Sequence, residues 1–176
     1  MKYRLNPTAA SLLGFLHAGP LTGWDLVATA QSTIGNFWSL TQSQVYRELT
    51  AMADADLVEA GERGRRDRRP YAITEAGREA FAAWLEREPG PESIRFPLLL
   101  TLSFGRYLPQ QRLAEILEHH RAMHADRLAD YQQRHAAAQR DPAVDPYAVA
   151  TLEFGITYEQ AVLAWFDRLP ARLGAT

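Results

Sequence analysis

The chain of 176 residues contains no cysteine. That absence excludes a disulfide framework, a thiolate zinc site, an iron–sulfur cluster and a cysteine nucleophile, and it agrees with a reducing compartment. Lysine is nearly absent as well: Lys2 is the single lysine among 19 basic residues. The cationic chemistry is therefore guanidinium chemistry, a planar forked donor suited to phosphate oxygens and guanine edges. Long apolar runs are missing too. Short ones such as Pro97-Leu98-Leu99-Leu100-Thr101-Leu102 fall far below the roughly 18 residues that span a bilayer, and residues 1–7 carry no apolar core of the signal-peptide kind. A cytoplasmic protein without membrane contact is the expectation. There is no Gly-rich phosphate loop, no Gly-x-Ser-x-Gly elbow and no His-Glu-x-x-His motif. The carboxylates are scattered over predicted helix surfaces. Neither an enzyme, nor a cofactor, nor a metal site is expected.

What is present is an ordinary globular composition, 47% apolar and 23% charged, at a length that allows one or two domains. Net charge is 19 − 21 = −2, which hides a local concentration. Residues 63–69 read Arg-Gly-Arg-Arg-Asp-Arg-Arg, five arginines against one aspartate.

Ala9, Leu12, Leu13 and Leu16 follow the spacing of a helix with one buried face, stopped by Gly19-Pro20. Thr22 caps a second helix over about 23–31, with Leu26, Val27 and Ala30 inward. Thr41-Gln42-Ser43-Gln44 fits a capping box that opens a third helix, whose stripe is Val45, Leu49, Met52 and Ala53. Leu57-Val58-Glu59-Ala60 and Pro70-Tyr71-Ala72-Ile73 are short extended pieces flanking the arginine loop, a β-hairpin pattern. Thr74 caps a fourth helix to about residue 87. The order helix, helix, helix, hairpin, helix is that of a winged helix-turn-helix with the arginine loop at the wing tip. After Glu88-Pro89-Gly90-Pro91 the pattern is all helical: a short helix over about 94–106, a long one over about 109–139, and a last one over about 147–169. The expected fold is mainly α, with a winged helix-turn-helix domain at 1–90 and a helical dimerisation domain at 91–176.

Several phrases in order resemble the PadR family of bacterial transcriptional regulators. They are Leu12-Leu13-Gly14-Phe15-Leu16, Gly19-Pro20-Leu21-Thr22-Gly23-Trp24-Asp25-Leu26, Phe37-Trp38-Ser39 with Val45-Tyr46-Arg47-Glu48-Leu49, and Tyr71-Ala72-Ile73-Thr74-Glu75-Ala76-Gly77-Arg78. Residues 97–108 and 151–169 resemble the longer members with an extended helical C-terminal domain. Two departures stand out. The family usually has His-Gly-Tyr where this chain has Thr22-Gly23-Trp24, and commonly Pro-Gly-Ser where it has Gln42-Ser43-Gln44. The second places two amides at the start of the reading helix, so the family's base preference does not carry over.

A helix entering the major groove contacts bases with its first turns, and glutamine can bond adenine N6 and N7. Thr41, Gln42, Ser43, Gln44 and Arg47 are the polar positions there, and Tyr46 can offer a hydroxyl to a phosphate. Arg63, Arg65, Arg66, Arg68 and Arg69 form a wing tip suited to the backbone of double-stranded DNA. A solvated charge run and a capped surface helix in a protein-binding adaptor are the other readings of these two features.

At 100° per residue, Tyr147, Phe154, Tyr158, Val162, Trp165 and Leu169 share one face of the last helix, and Val149, Leu152, Ile156 and Leu163 nearly the opposite one. Two apolar faces need partners on both sides, which points to a homodimer. Its expected interface residues are Leu113, Leu117, His120, His124, Leu152, Ile156 and Leu163. Phe154, Tyr158 and Trp165 are either interface packing or the lining of a pocket for a small aromatic effector, the ligand class that the resemblance implies. His120 and His124, four apart, read as interface histidines, with a pH-sensitive dimer left open. Together these features describe a sequence-specific DNA-binding regulator, a repressor on a palindromic operator, with a winged-helix protein-interaction adaptor as the alternative.

Overall fold

The computed structural model describes residues 3–35, 37–62, 69–92 and 94–173, with side chains as far as 169. The chain divides into two compact units, Met1–Glu92 and Ser93–Thr176.

The first unit is a winged helix-turn-helix. Helix α1 (Pro7–Leu16) starts where the Asn6 side chain accepts from the Ala9 amide and a proline fills the first turn. It packs on α2 (Gly23–Thr33), α3 (Gln42–Asp54) and α4 (Glu75–Leu85). The expected stripes are the core: Ala9, Leu12, Leu13 and Leu16 of α1, Leu26 and Ala30 of α2, and Val45, Leu49 and Met52 of α3 are all buried. Burying each such leucine is worth about 1.5–3 kcal/mol. Strands β2 (Val58–Ala60) and β3 (Pro70–Ile73) pair antiparallel, with Val58 opposite Ile73 and Ala60 opposite Tyr71. A third strand, β1 (Leu21–Thr22), adds to the other edge of β3 in the order β1-β3-β2. Two residues are too few to show a period-2 pattern, so β1 was not legible in the sequence.

The wing leads back into α4 through one tight junction. Asp56 turns the chain with φ 58°, and the Thr74 hydroxyl donates to its carbonyl while accepting from the Gly77 amide. Gly77 then passes so close to the Leu57 carbonyl that a Cβ would lie 2.1 Å from its oxygen. Only glycine fits.

The second unit is helical. The segment expected as a helix over 94–106 is shorter: α5 spans Pro97–Ser103 and is followed by a single 3-10 turn, Gly105–Tyr107. Phe96 before Pro97 is extended (φ −113°, ψ 98°), as steric conflict with the proline ring favours. Helices α6 (Gln110–Ala138) and α7 (Pro146–Leu173) pack along each other as a hairpin.

On α6 the half-buried and buried positions Leu113, Leu117, His120, His124, Arg127, Tyr131, Arg134 and Ala138 alternate in steps of four and three, the seam of a coiled coil. The facing side of α7 is centred on Glu159 and Phe166, both buried. It lies between the two apolar stripes read from the helical wheel, which flank it as shoulders. Gly155 lets the helices close, since a Cβ there would meet the Tyr131 ring at 3.0 Å.

A charged cluster sits inside this seam. Glu159 is 2% exposed; it accepts a short hydrogen bond from His124 Nδ1, and Arg127 Nε lies 3.3 Å from its other oxygen. A polar group at a seam position sets register because any slip leaves it buried without its partner. Tyr131 and Tyr158 both have raised pKa values, chiefly from burial and then from the Glu159 charge. Removing the carboxylate leaves the Arg127 guanidinium and the His124 ring without their buried partner, so Glu159→Ala is expected to destabilise the hairpin by about 3 kcal/mol. Guanidinium unfolding followed by helical circular dichroism reads this directly; a loss under about 1 kcal/mol contradicts it.

Candidate nucleic-acid interface

Helix α3 is buried on one stripe and open along the other. Thr41 caps it, accepting from the Gln44 amide at 3.3 Å, and Gln44 Oε1 accepts from the Thr41 amide at 2.9 Å, so the expected capping box is closed. The Thr41 hydroxyl also donates to Gln44 Oε1 at 2.9 Å. That oxygen is thus committed to the cap, whereas Gln42 is exposed and can present an amide oxygen and nitrogen together, as a bidentate contact to adenine requires. Thr41, Gln42, Ser43, Tyr46 and Arg47 are exposed and Gln44 is half-buried. The structure brings these six together on the first two turns, where amides, hydroxyls and a guanidinium offer the donors and acceptors that base edges and phosphates require.

The Tyr46 ring lies over the first residue of α2: a Cβ on Gly23 would sit 2.7 Å from it. Any other residue at Gly23 displaces Tyr46. Helix α2 carries its own capping box, from Thr22 and Asp25, and Trp24, Phe37, Trp38 and Tyr46 are exposed aromatics of this unit.

Of the arginine loop, Arg63, Arg65, Arg66 and Arg68 lie outside the described residues. Arg69 is described, and its guanidinium folds back on the opposite strand. Nε donates to the Gly61 carbonyl at 2.9 Å and Nη2 to the Ala60 carbonyl at 3.2 Å. With the Gly61 amide bonded to the Pro70 carbonyl, Arg69 fastens the base of the hairpin beneath the loop. Among the described residues its three other donors have no hydrogen-bond partner.

Two residues that sequence reasoning passed over are the buried carboxylates. Glu48 lies on the inward side of α3, three residues after Val45, and Glu159 occupies a seam position of α7. Both interrupt an apolar stripe, and that interruption was the available signal. Glu48 Oε2 accepts from the Tyr3 hydroxyl at 2.9 Å and from Asn6 Nδ2 at 3.1 Å, while Arg47 Nη2 lies 3.4 Å from Oε1.

The residues expected at a subunit interface have neighbours within the chain. Leu113, Leu117, His120 and His124 share the α6 face turned to α7, and Leu152, Ile156 and Leu163 share the α7 side turned to α6; all seven are half-buried. Burial, with charge on His119, His124 and Arg127, lowers the pKa of His120. The three expected pocket residues have separate surroundings. Tyr158 stacks on Phe96, Trp165 meets Phe166 edge-on, and Phe154 is 67% exposed. No group of three or more metal-ligating side chains, and no helix long and apolar enough to cross a membrane, occurs among the described residues.

Burial, the hydrogen bond to Glu48 and its charge hold the Tyr3 hydroxyl far above its ordinary pKa of 10.0. A raised folded-state pKa contributes stability that is complete below the unfolded value and is lost as pH climbs through and above it. Chain stability is therefore expected to decline as pH rises past 10. Tyr3→Phe should remove its share of that slope, while costing about 1 kcal/mol at neutral pH. Urea midpoints measured from pH 8 to 11 check this; an identical alkaline slope in the variant contradicts it.

Two family models match in succession: Transcriptional regulator PadR-like family over residues 12–83 and Virulence activator alpha C-term over residues 94–174. Among curated proteins, the chain is 22% identical over 175 residues to Negative transcriptional regulator PadR of Bacillus subtilis (strain 168), covering 93% of this chain and 95% of that one. Among solved structures it resembles Bacillus subtilis PadR in complex with operator DNA, with a TM-score of 0.78 at 23% identity over 95% of this chain and 99% of that one. It also resembles the same protein in complex with p-coumaric acid, with a TM-score of 0.70 at 22% identity over 97% and 98%. The Vibrio cholerae virulence activator AphA matches with a TM-score of 0.72 at 27% identity over 96% and 98%. With the winged unit and the helical unit each matched in order, residues 12–83 form a domain of the PadR-like family of transcriptional regulators.

Proposed function

We propose that the protein is a sequence-specific DNA-binding repressor that acts in the cytoplasm as a homodimer on a palindromic operator. The N-terminal unit binds DNA and the C-terminal unit dimerises. The observation that carries the reading is the exposed polar edge of α3, Thr41 to Arg47, held in place by a closed cap and a buried opposite stripe. Gln42 and Arg47 read bases, Tyr46 holds the backbone beside them, and Arg63, Arg65, Arg66 and Arg68 of the wing tip add phosphate contacts. The Bacillus subtilis relative supports this reading, being a negative regulator whose structure was solved with operator DNA. Its complex with p-coumaric acid supports release by a small aromatic ligand.

An apolar surface on the second unit supports the dimer. Leu99, Leu100, Phe104 and Tyr107 of α5 and the turn after it are exposed, as are Tyr147 and Phe154 at the start of α7. Large apolar side chains left in water by one chain suit burial against a second copy. Two reading helices set about one DNA turn apart then match a two-fold operator.

Gel shift with the gene's own upstream region is the direct test, and selective retardation that survives competitor DNA is expected. Absence of retardation favours the adaptor reading. Each phosphate contact contributes about −0.9 to the slope of log K against log salt. Arg65, Arg66 and Arg68 together changed to alanine should flatten that slope by up to about 3 units per wing and weaken all sequences alike; an unchanged slope removes the wing from the account. Light scattering at micromolar concentration is expected to return twice the 19.8 kDa chain mass, and Leu100→Glu with Phe104→Glu to return the monomer. A wild-type monomer contradicts the dimer.

A further inference from the structure

Glu48 is one of two buried charged residues among those described, and it lies on the reading helix itself, 7% exposed. Its two oxygens have different partners. Oε2 takes two neutral donors, the Tyr3 hydroxyl and the Asn6 side-chain amide. Asn6 is also the cap of α1, its Oδ1 accepting from the Ala9 amide, so this oxygen ties the reading helix to the start of α1. Oε1 faces Arg47 Nη2 at 3.4 Å. Arg47 itself stands on the open face, its side chain 68% exposed against 10% for Glu48. One carboxylate therefore has a buried, hydrogen-bonded oxygen that fixes it and a second oxygen that reaches the exposed guanidinium next along the helix.

We infer that Glu48 is a positioning residue for DNA recognition, holding the Arg47 guanidinium as an internal stand-in for a phosphate and so raising the selectivity of the reading helix. The inference rests on the DNA-reading proposal above. In the free protein the pair restricts Arg47 to a limited set of orientations and cancels its charge at the surface. A duplex that offers only one phosphate oxygen must compete with the carboxylate and gains little. A site that offers a bidentate partner, such as guanine O6 and N7, gains more than the pair loses. The pair is partly in water, so its hold on Arg47 is modest, worth about a two- to fivefold factor. That is enough to matter, because a regulator searches for its operator against a large excess of random duplex.

The test is a double-mutant cycle on the full chain with Glu48→Gln, Arg47→Ala and the combined variant. Glutamine keeps an oxygen for Tyr3 and Asn6 but loses the charge that faces Arg47. Affinity is measured for the upstream fragment and for a random duplex of equal length, across a range of salt. Glu48→Gln is expected to tighten random-duplex binding two- to fivefold, to steepen its salt slope by about 0.9 units through one more phosphate contact, and to lower the selectivity ratio. In the Arg47→Ala background the same change should alter neither slope nor ratio. Tyr3→Phe, which loosens Oε2 without touching Arg47, should lower the melting temperature and leave the ratio in place. An equal effect of Glu48→Gln with and without Arg47, or no effect on the ratio, overturns the inference. If Glu48→Gln does not fold, the wild-type Arg47 Nε–H resonance, assigned by its loss in Arg47→Ala, serves instead. It should be unmoved by random duplex and shifted by the upstream fragment; an equal shift with both duplexes overturns the inference. A wild-type chain that prefers no upstream fragment overturns the DNA-reading proposal as well, whereas a selective wild type without coupling between positions 47 and 48 overturns this inference alone.

Discussion

The two-sidedness of α3 is the constraint on which the rest depends. Val45, Leu49 and Met52 are wholly removed from water against α1 and α2, and Glu48 between them is tied to Tyr3 and Asn6. With that side fixed, the opposite side has no freedom to turn inward. Its first turn would still fray if the end amides went unpaired, and the Thr41–Gln44 box prevents this by satisfying donors at both ends of the motif. A recognition edge made of short polar side chains needs that rigidity, because base contacts are lost over small displacements while phosphate contacts tolerate them.

The hairpin and the second unit are each held by a different device. The wing brings charge, and its hairpin is closed at the base by the Arg69 guanidinium on two strand carbonyls. In the second unit α6 is 29 residues long and α7 28, packed over a seam that holds Glu159 between His124 and Arg127. Arginine does both kinds of work in one chain. At Arg69 it is a fixed internal donor, at Arg127 it is the ion-pair partner of a buried carboxylate, and at Arg47 it stands largely in water.

Much of this was legible in the sequence, and the reasons differ by element. The stripes of α1, α2 and α3 follow a 3.6-residue period with apolar residues, and the caps at Thr22, Thr41 and Thr74 are local motifs that need no tertiary information. Strand β1 was illegible because two residues carry no period and it exists only by pairing with β3. The helix expected over 94–106 broke into α5 and a 3-10 turn because Pro97 sets the start and the apolar run alone says nothing of the end. The faces of α7 were read from apolar residues alone. That placed the contact on either shoulder, whereas the packed centre holds a glutamate, a glycine and Phe166. For the same reason the two buried glutamates escaped notice as organising residues: on a helical wheel a charge on an apolar stripe looks like noise until its partners, distant in sequence, are seen.

In the proposed function, one edge of α3 and the adjoining wing are the surface that meets DNA. Backbone hydrogen exchange of the full chain, with and without a duplex from its own upstream region, measures this without presupposing any residue's role. Slowed exchange is expected to be confined to residues 41–47 and to the hairpin around residues 60–70, with the α6–α7 seam unchanged. Slowed exchange restricted to residues 94–173, or none at a duplex concentration that saturates binding, would contradict it.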